Sequence, residues 1–252
     1  MNIYKAVIQS GPLCEIKYYK SFRQRGLKHI ARSVKQALSS VKQAERNQIS
    51  GQQNTQRLIL CNFKKGDWWV RFSAPYQNFT EEEFEKEVAN FFRRVKYHAK
   101  KKGLDFKYIG FSECGKRGGN WHLHIVIENS IIETAMKCWK WENGINLTPL
   151  YLDGNFKDLA KYVRKDVVGT KRLKTSRNLT KPTVDISRAK KEYKKVERTG
   201  CPVEIPQGYY QLTDDTQILV NDFTGAVYSF AFMQLTAQQT NQRRQNIDVW
   251  RD

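Results

Sequence analysis

The clearest periodicity lies near the middle of the chain. Thr80 followed by Glu81, Glu82 and Glu83 has the form of a capping box, and Phe84, Val88, Phe91, Phe92 and Val95 then recur at helical spacing. Lys100, Lys101 and Lys102 favour the negative end of the helix dipole, and Gly103 supplies a stop, so a long helix is predicted over 80–102. Upstream, RLILCN (57–62) and WWVRFS (68–73) read as strands joined through the turn residues Lys64-Lys65-Gly66-Asp67. Downstream, residues 106–113 read as a strand and Gly115-Lys116-Arg117-Gly118-Gly119-Asn120 as a turn. Trp121-His122-Leu123-His124-Ile125-Val126-Ile127 then closes an antiparallel hairpin. Helices are expected at about 130–141 and 156–167.

The flanks are less regular. Residues 21–46 are rich in Arg, Lys, Gln and Ala and read as helical, either a basic arm on DNA or a helix beside the sheet with a solvated basic face. Residues 209–212, 217–220 and 226–232 read as short strands, and the tail 238–252 as disordered. The predicted class is α+β: an antiparallel β-sheet with helices packed on one face. Three regions are expected: a basic N-terminal helical arm (1–56), a central domain (57–200), and a small β-rich appendage with its tail (201–252).

Charge narrows the function. The 252-residue chain has a formal net charge of +19, which favours a polyanionic partner, nucleic acid above all. No run of 18 or more apolar residues and no signal-peptide core is found, so membrane anchoring is not expected and the cytoplasm is the default. Residues 161–200 hold 14 Lys or Arg against 4 Asp or Glu, whereas residues 201–252 hold 3 against 6, which places a boundary near residue 200. Between Gly169 and Lys195 the basic residues alternate with Ser, Thr and Asn, as suits a loop-rich surface gripping phosphates or a solvated linker. Arg117, Arg164, Lys171, Arg172, Lys174 and Arg177 are the DNA-contact candidates. The five cysteines stand singly, without a Cys-x-x-Cys pair, and read as free thiols.

The candidate chemistry begins with the histidines. Alternate residues of a strand share a face, so His122 and His124 point one way while Trp121, Leu123, Ile125 and Ile127 point the other. In the expected hairpin Glu113 falls close to His122, and suitable register puts all three on one face. Two imidazoles and a carboxylate suit a divalent cation with open positions for substrate oxygens. Tyr162 lies on the helix expected at 156–167, with Lys165 at i+3 and Asp158 at i−4 on its face. A phenol there can attack a phosphodiester and hold it covalently. Taken singly, a His-x-His pair is more often structural, and a tyrosine on an amphipathic helix is more often core.

Trp68–Ser73 as a first strand, Glu113 with His122-Leu123-His124, and Tyr162-Val163-Arg164-Lys165-Asp166 together resemble the HUH-type replication initiators of rolling-circle replicons. The resemblance covers roughly residues 57–180, and Ser176–Pro182 looks like the stretch that follows the tyrosine in phage and plasmid members. It implies an RRM-like or palm-like nuclease core. His122, His124 and Glu113 would hold Mg²⁺ or Mn²⁺, with Tyr162 as nucleophile and Lys165 as its partner. The substrate it implies is single-stranded or hairpin origin DNA, nicked to leave a 5′-phosphotyrosine and a 3′-hydroxyl primer.

The chain also departs from parts of that family. No second tyrosine lies within a turn of Tyr162, and Tyr151 is too far along the chain to share its helix face, which implies a single-tyrosine enzyme. No phosphate-binding Gly-x-x-x-x-Gly-Lys-Ser/Thr loop occurs, so a host helicase and polymerase are the implied partners, in a bacterial cytoplasm. A histidine-triad hydrolase would require histidine where Val126 stands, and a zinc deaminase would require His-x-Glu with a later Pro-Cys-x-x-Cys. A transposase or relaxase of a mobile element would use the same constellation. A basic nucleic-acid-binding regulator with structural histidines is the non-enzymatic alternative.

Overall fold

The computed structural model describes residues 1–21, 41–74, 78–115, 120–151, 155–164, 173–221 and 225–236. In chain order these form β1 (Asn2–Ser10), β2 (Leu13–Ser21), α1 (Val41–Asn62), β3 (Trp68–Ala74), α2 (Glu81–Lys101), β4 (Tyr108–Cys114), β5 (Trp121–Ile127) and α3 (Ile132–Cys138). Then follow β6 (Ile145–Pro149), α4 (Lys157–Val163), β7 (Lys174–Thr175), β8 (Thr183–Arg188), α5 (Lys190–Thr199), β9 (Tyr209–Asn221) and β10 (Gly225–Gln234). The chain divides into two units, one of residues 1–39 with 182–252, the other of residues 40–181. Each unit is α+β around a five-stranded antiparallel sheet.

In the 40–181 unit the strand order is β6-β3-β5-β4-β7. Strand alternation sends Val70, Phe72, Ala74, Leu123, Ile125 and Ile127 to one face, where they meet the stripe Phe84, Val88, Phe91 and Val95 of α2. Trp139 wedges among Phe72, Phe84 and Phe91, and its indole N–H donates to the Ser73 carbonyl at 2.9 Å, so the aromatic core also fixes the backbone of β3. The capping box forms as the sequence predicts: Thr80 Oγ1 accepts the Glu83 N–H, and the Glu83 carboxylate accepts the Thr80 N–H.

One chain crossing is fixed by a buried acid. Asp67, 3 % exposed, accepts the backbone N–H of Lys64 at 2.8 Å and that of Asn129 at 2.9 Å, tying the turn before β3 to the segment after β5. Gly66 takes φ +91°, which the turn requires. Asn62, at the end of α1, pairs with the backbone of Thr180 in both directions at 2.8 Å.

In the other unit the order is β8-β1-β2-β10-β9, and α5 covers one face. Tyr193 and Val196 of α5 insert among Cys14, Ile16, Tyr18, Phe230 and Phe232. The rim is ionic: Lys5 pairs with Glu192 at 3.0 Å, and Tyr18 donates to the same carboxylate at 3.0 Å. Burial, with Glu192 beside it, pushes the Tyr18 phenol well above its usual range.

Several expectations change. Residues 57–62 are the last turns of α1 rather than a strand, because Thr55, Ile59, Leu60 and Phe63 form one buried helical face that a six-residue window does not show. The N-terminal region is a β-hairpin over residues 2–21, not a helical arm: Tyr4, Ala6, Ile8 and Ser10 are buried alternately before a turn at Gly11-Pro12. Of the basic helix expected over 21–46, residues 22–40 lie outside the described residues and 41–46 belong to α1. The boundary falls at 181/182 instead of near 200, since β8 pairs with β1.

The stretch 169–195, expected to be loop-rich, contains β7, β8 and the start of α5. Strand β8 is an edge strand with most side chains exposed, and α5 buries only Tyr193 and Val196, so neither leaves much apolar periodicity. The expected strands 209–212 and 217–220 are parts of one 13-residue strand, β9. The helices expected at 130–141 and 156–167 appear as α3 and α4, both shorter. Residues 165–167 and the tail 238–252 lie outside the described residues. All five cysteines are free.

Candidate active site

The face of the 40–181 sheet opposite α2 is built from the alternate residues of β3, β5 and β4. Register sets them in three rows: Ser73-His122-Glu113, Arg71-His124-Phe111 and Trp69-Val126-Ile109. The hairpin register places Glu113 directly opposite His122. The third row is apolar and closed, with Ile109 and Val126 fully buried, while the first two rows hold the polar groups.

The two histidines are held differently. His122 is partly exposed, and its Nδ1 shares a 2.8 Å hydrogen bond with Ser73 Oγ, which fixes the ring and leaves Nε2 directed away from β3. A Cβ on Gly115 would stand 3.0 Å from that Nε2, so the glycine after β4 keeps the space beside it. His124 is buried between the rings of Trp69 and Phe111, which stack on it at 5.6 and 5.2 Å between centroids.

Burial holds His124 well below the usual imidazole range, with Glu113 opposing the shift and His122 and Arg71 adding to it. His122 is lowered too, first by burial and then by the Arg71 charge. Both imidazoles are therefore neutral at pH 7, the form that donates a lone pair.

Glu113 Oε1 lies 2.9 Å from His124 Nε2, yet neither ring nitrogen of this buried histidine has a hydrogen bond of good direction. A short separation without hydrogen-bond alignment is the disposition of two donors facing a shared cation. Adjacent ligands of an octahedral ion with bonds of about 2.1 Å stand about 3 Å apart. His124 and Glu113 are thus the pair whose geometry suits a metal, and His122 is the neighbouring donor. Among the described residues no three His, Cys, Asp or Glu groups close into a ready cage.

Tyr162 comes over this face from α4. Its ring lies 5.9 Å from Trp69, 5.9 Å from Phe111 and 6.2 Å from His124. Ala160 and Val163 anchor the short helix, leaving Tyr162 43 % exposed. The entry to α4 is strained: Phe156, at its N-cap, is buried with φ 54°, and is the one non-glycine residue of positive φ among those described. Asp158, on the same helix, is solvent-exposed and 3.7 Å from Lys161.

The basic candidates separate. Arg164 is half-buried, and its Nε donates to the buried Thr55 of α1 at 3.1 Å, with the guanidinium against Gly51. It joins α4 to α1 instead of facing solvent. Lys174 is neutralised by both carboxylate oxygens of Glu85, at 2.8 and 2.7 Å. Arg177 is exposed. Lys165, Arg117, Lys171 and Arg172 lie outside the described residues.

Sequence reasoning did not single out Trp69, Arg71 and Ser73, though the alternation of WWVRFS puts them on one face. Phe111 was equally readable from β4. Glu85 and Thr55 leave no such signal, because their partners are remote in the chain.

Residues 74–167 match the family model described as Replication-associated protein ORF2. The match supports a replication-initiator family. It covers less than half of the chain but runs from the end of β3 through Glu113, His122, His124 and Tyr162. No curated protein and no solved structure matches the chain. Among the described residues no helix is long and apolar enough to cross a membrane.

Proposed function

We propose that this chain is a DNA nicking-joining endonuclease that starts rolling-circle replication by attack of Tyr162 on single-stranded or hairpin origin DNA. The observation behind this reading is the position of the Tyr162 ring over His124, in a cluster with Trp69 and Phe111, beside the Glu113 carboxylate. A core tyrosine would be enclosed; this one keeps 43 % of its surface open while sitting over a polar row.

In the proposed step the Tyr162 phenolate oxygen bonds to phosphorus as the bond from phosphorus to the 3′ oxygen of the preceding nucleotide breaks. The phenol proton passes to water, and the departing 3′ oxygen takes up a proton to become the primer hydroxyl. The 5′ side stays on the tyrosine, and reversal rejoins the strand. Glu113, His124 and His122 would hold Mg²⁺ or Mn²⁺, which when bound supplies positive charge next to the phosphate. The hydrogen bond to Ser73 orients His122 for that role, as partners of metal-bound imidazoles do. Trp69 and Phe111 keep His124 neutral and fixed. Lys165, one helical turn beyond Tyr162 in sequence, is the expected phosphate partner.

The test uses labelled single-stranded oligonucleotides with Mn²⁺ and looks for an adduct that survives denaturation. The adduct is expected with the unaltered chain and with Tyr151→Phe, and lost in Tyr162→Phe. An adduct that persists in Tyr162→Phe, or none across a library of sequences, removes the proposal.

A further inference from the structure

On the other face of the same sheet, away from His124 and Tyr162, lies a cavity of about 710 Å³ at the β7 edge. Its floor is aromatic. Tyr108 stacks on Phe92 at 4.1 Å between centroids and leans on Phe106 at 5.0 Å. Its rim is basic: Arg93, Lys96 and Lys100 stand on one side of α2, and Arg177 stands on the opposite wall, with Asp105 the one acid. All four cations are exposed at the rim.

The wall bearing Arg177 is tied to the floor. Ser176 N donates to the Tyr108 carbonyl at 3.0 Å, and Ser176 Oγ accepts the Tyr108 N–H at 3.2 Å. The turn Ser176–Asn178 therefore keeps its position against the aromatic rings. Arg177 is close enough to oppose the upward shift that burial imposes on the Tyr108 phenol.

We infer that this cavity is a second nucleic-acid subsite, which takes a base of single-stranded DNA on Tyr108 and Phe92 and the flanking phosphates on Lys96, Lys100 and Arg177. The inference deepens the nicking reading and rests on it for the choice of DNA. An aromatic floor offers a π-face to any base, and rim cations that stay solvated follow a flexible backbone, the combination by which single strands are held without sequence readout. A base-paired duplex offers no free base face to such a floor. A small acidic metabolite would require its charge partners inside the cavity, and here they stand outside it.

The position suits a strand that also reaches the nicking face. From Tyr108 to Glu113 is five residues along β4, about 17 Å at strand rise. A bound strand of about 4–16 nucleotides, the span usual for one such module, covers both places. The cavity would then fix the strand at a constant distance from the phosphate under attack.

The test uses the full chain in chelator, so that the metal site plays no part, with a fluorescent oligodeoxythymidylate of about 16 nucleotides. Lys96→Glu and Arg177→Glu are each expected to weaken binding about fivefold or more and to lower the salt dependence by about one to two ions. Lys137→Glu, which reverses an exposed charge on α3, is the control and is expected to change affinity by less than about twofold. A bromodeoxyuridine-substituted strand is expected to photocrosslink to Tyr108, Phe92 or Phe106. Unchanged affinity in both cavity variants, crosslinks confined to other segments, or equal competition by free thymidine monophosphate would each overturn the subsite. The two readings separate cleanly. Crosslinking at Tyr108 with no tyrosine adduct under Mn²⁺ keeps the subsite and removes nicking; an adduct with unaltered binding in both variants does the reverse.

Discussion

Gly110 packs against the backbone of His124 with no room for a side chain: a Cβ there would run into the His124 carbonyl oxygen and the Cα and Cγ2 of Ile125. The close approach of β4 to β5 at this one point sets the spacing of the row that holds His124 and Phe111.

Gly110→Ala therefore has to separate the two strands. The expected cost is about 3 kcal/mol or more, since the clash is with backbone that cannot rotate away. Urea denaturation should show a lower midpoint at unchanged slope. A loss below about 0.5 kcal/mol would mean that the strands part freely.

Arg164 reads from sequence as a phosphate contact, yet its guanidinium joins α4 to Thr55 and lies against Gly51. Arg164→Ala should destabilise the chain by about 1–3 kcal/mol, because it leaves the buried Thr55 hydroxyl without that donor. The salt dependence of DNA binding should stay as it was. If stability is retained while the salt slope falls by about one, Arg164 is a DNA contact after all.

Glu113 and His124 stand 2.9 Å apart without an aligned hydrogen bond. Saturating Mn²⁺ should raise the melting temperature of the native chain, since an ion at about a hundred times its Kd stabilises by about 2.7 kcal/mol. Glu113→Gln and His124→Ala should each abolish most of the rise, and Ser73→Ala should reduce it by loosening His122. An equal rise in all four proteins would place the ion elsewhere.

Asp67 binds two backbone N–H groups from segments that are far apart in the chain. Asp67→Ala strands both donors and should cost about 3 kcal/mol, whereas Asp67→Asn, which keeps one acceptor oxygen, should cost roughly half. Chemical denaturation of the two variants gives the comparison, and equal losses would argue against the shared-acceptor role.

How much of this was legible follows from the range of each interaction. The helix α2 was readable end to end because cap, stripe and stop are local. The hairpin that sets Glu113 opposite His122 was readable because two short strands flank a glycine-rich turn. The strand assigned to 57–62 failed for the opposite reason, since a short apolar run fits either element and only the longer series from Thr55 to Phe63 decides. The N-terminal hairpin did announce itself in Tyr4, Ala6, Ile8 and Ser10. Its neighbours β8 and β10 arrive from beyond residue 182, which no local pattern foretells. The burial of Arg164 and the neutralisation of Lys174 by Glu85 were illegible for the same reason: charge counts along a chain do not say which cations are already matched.

The division of the chain has a consequence for its synthesis. Residues 40–181 are contiguous, whereas the other unit needs strands from both sides of them. As the chain leaves the ribosome, β1 and β2 can form a hairpin at once, but β8 and β10, between which that hairpin lies, have yet to be made. The unit that contains Tyr162 has all its strands earlier, and domains fold as they are completed. A nascent chain halted soon after residue 181 should already hold a folded nuclease unit beside an unfinished sheet whose open edges await the last strands.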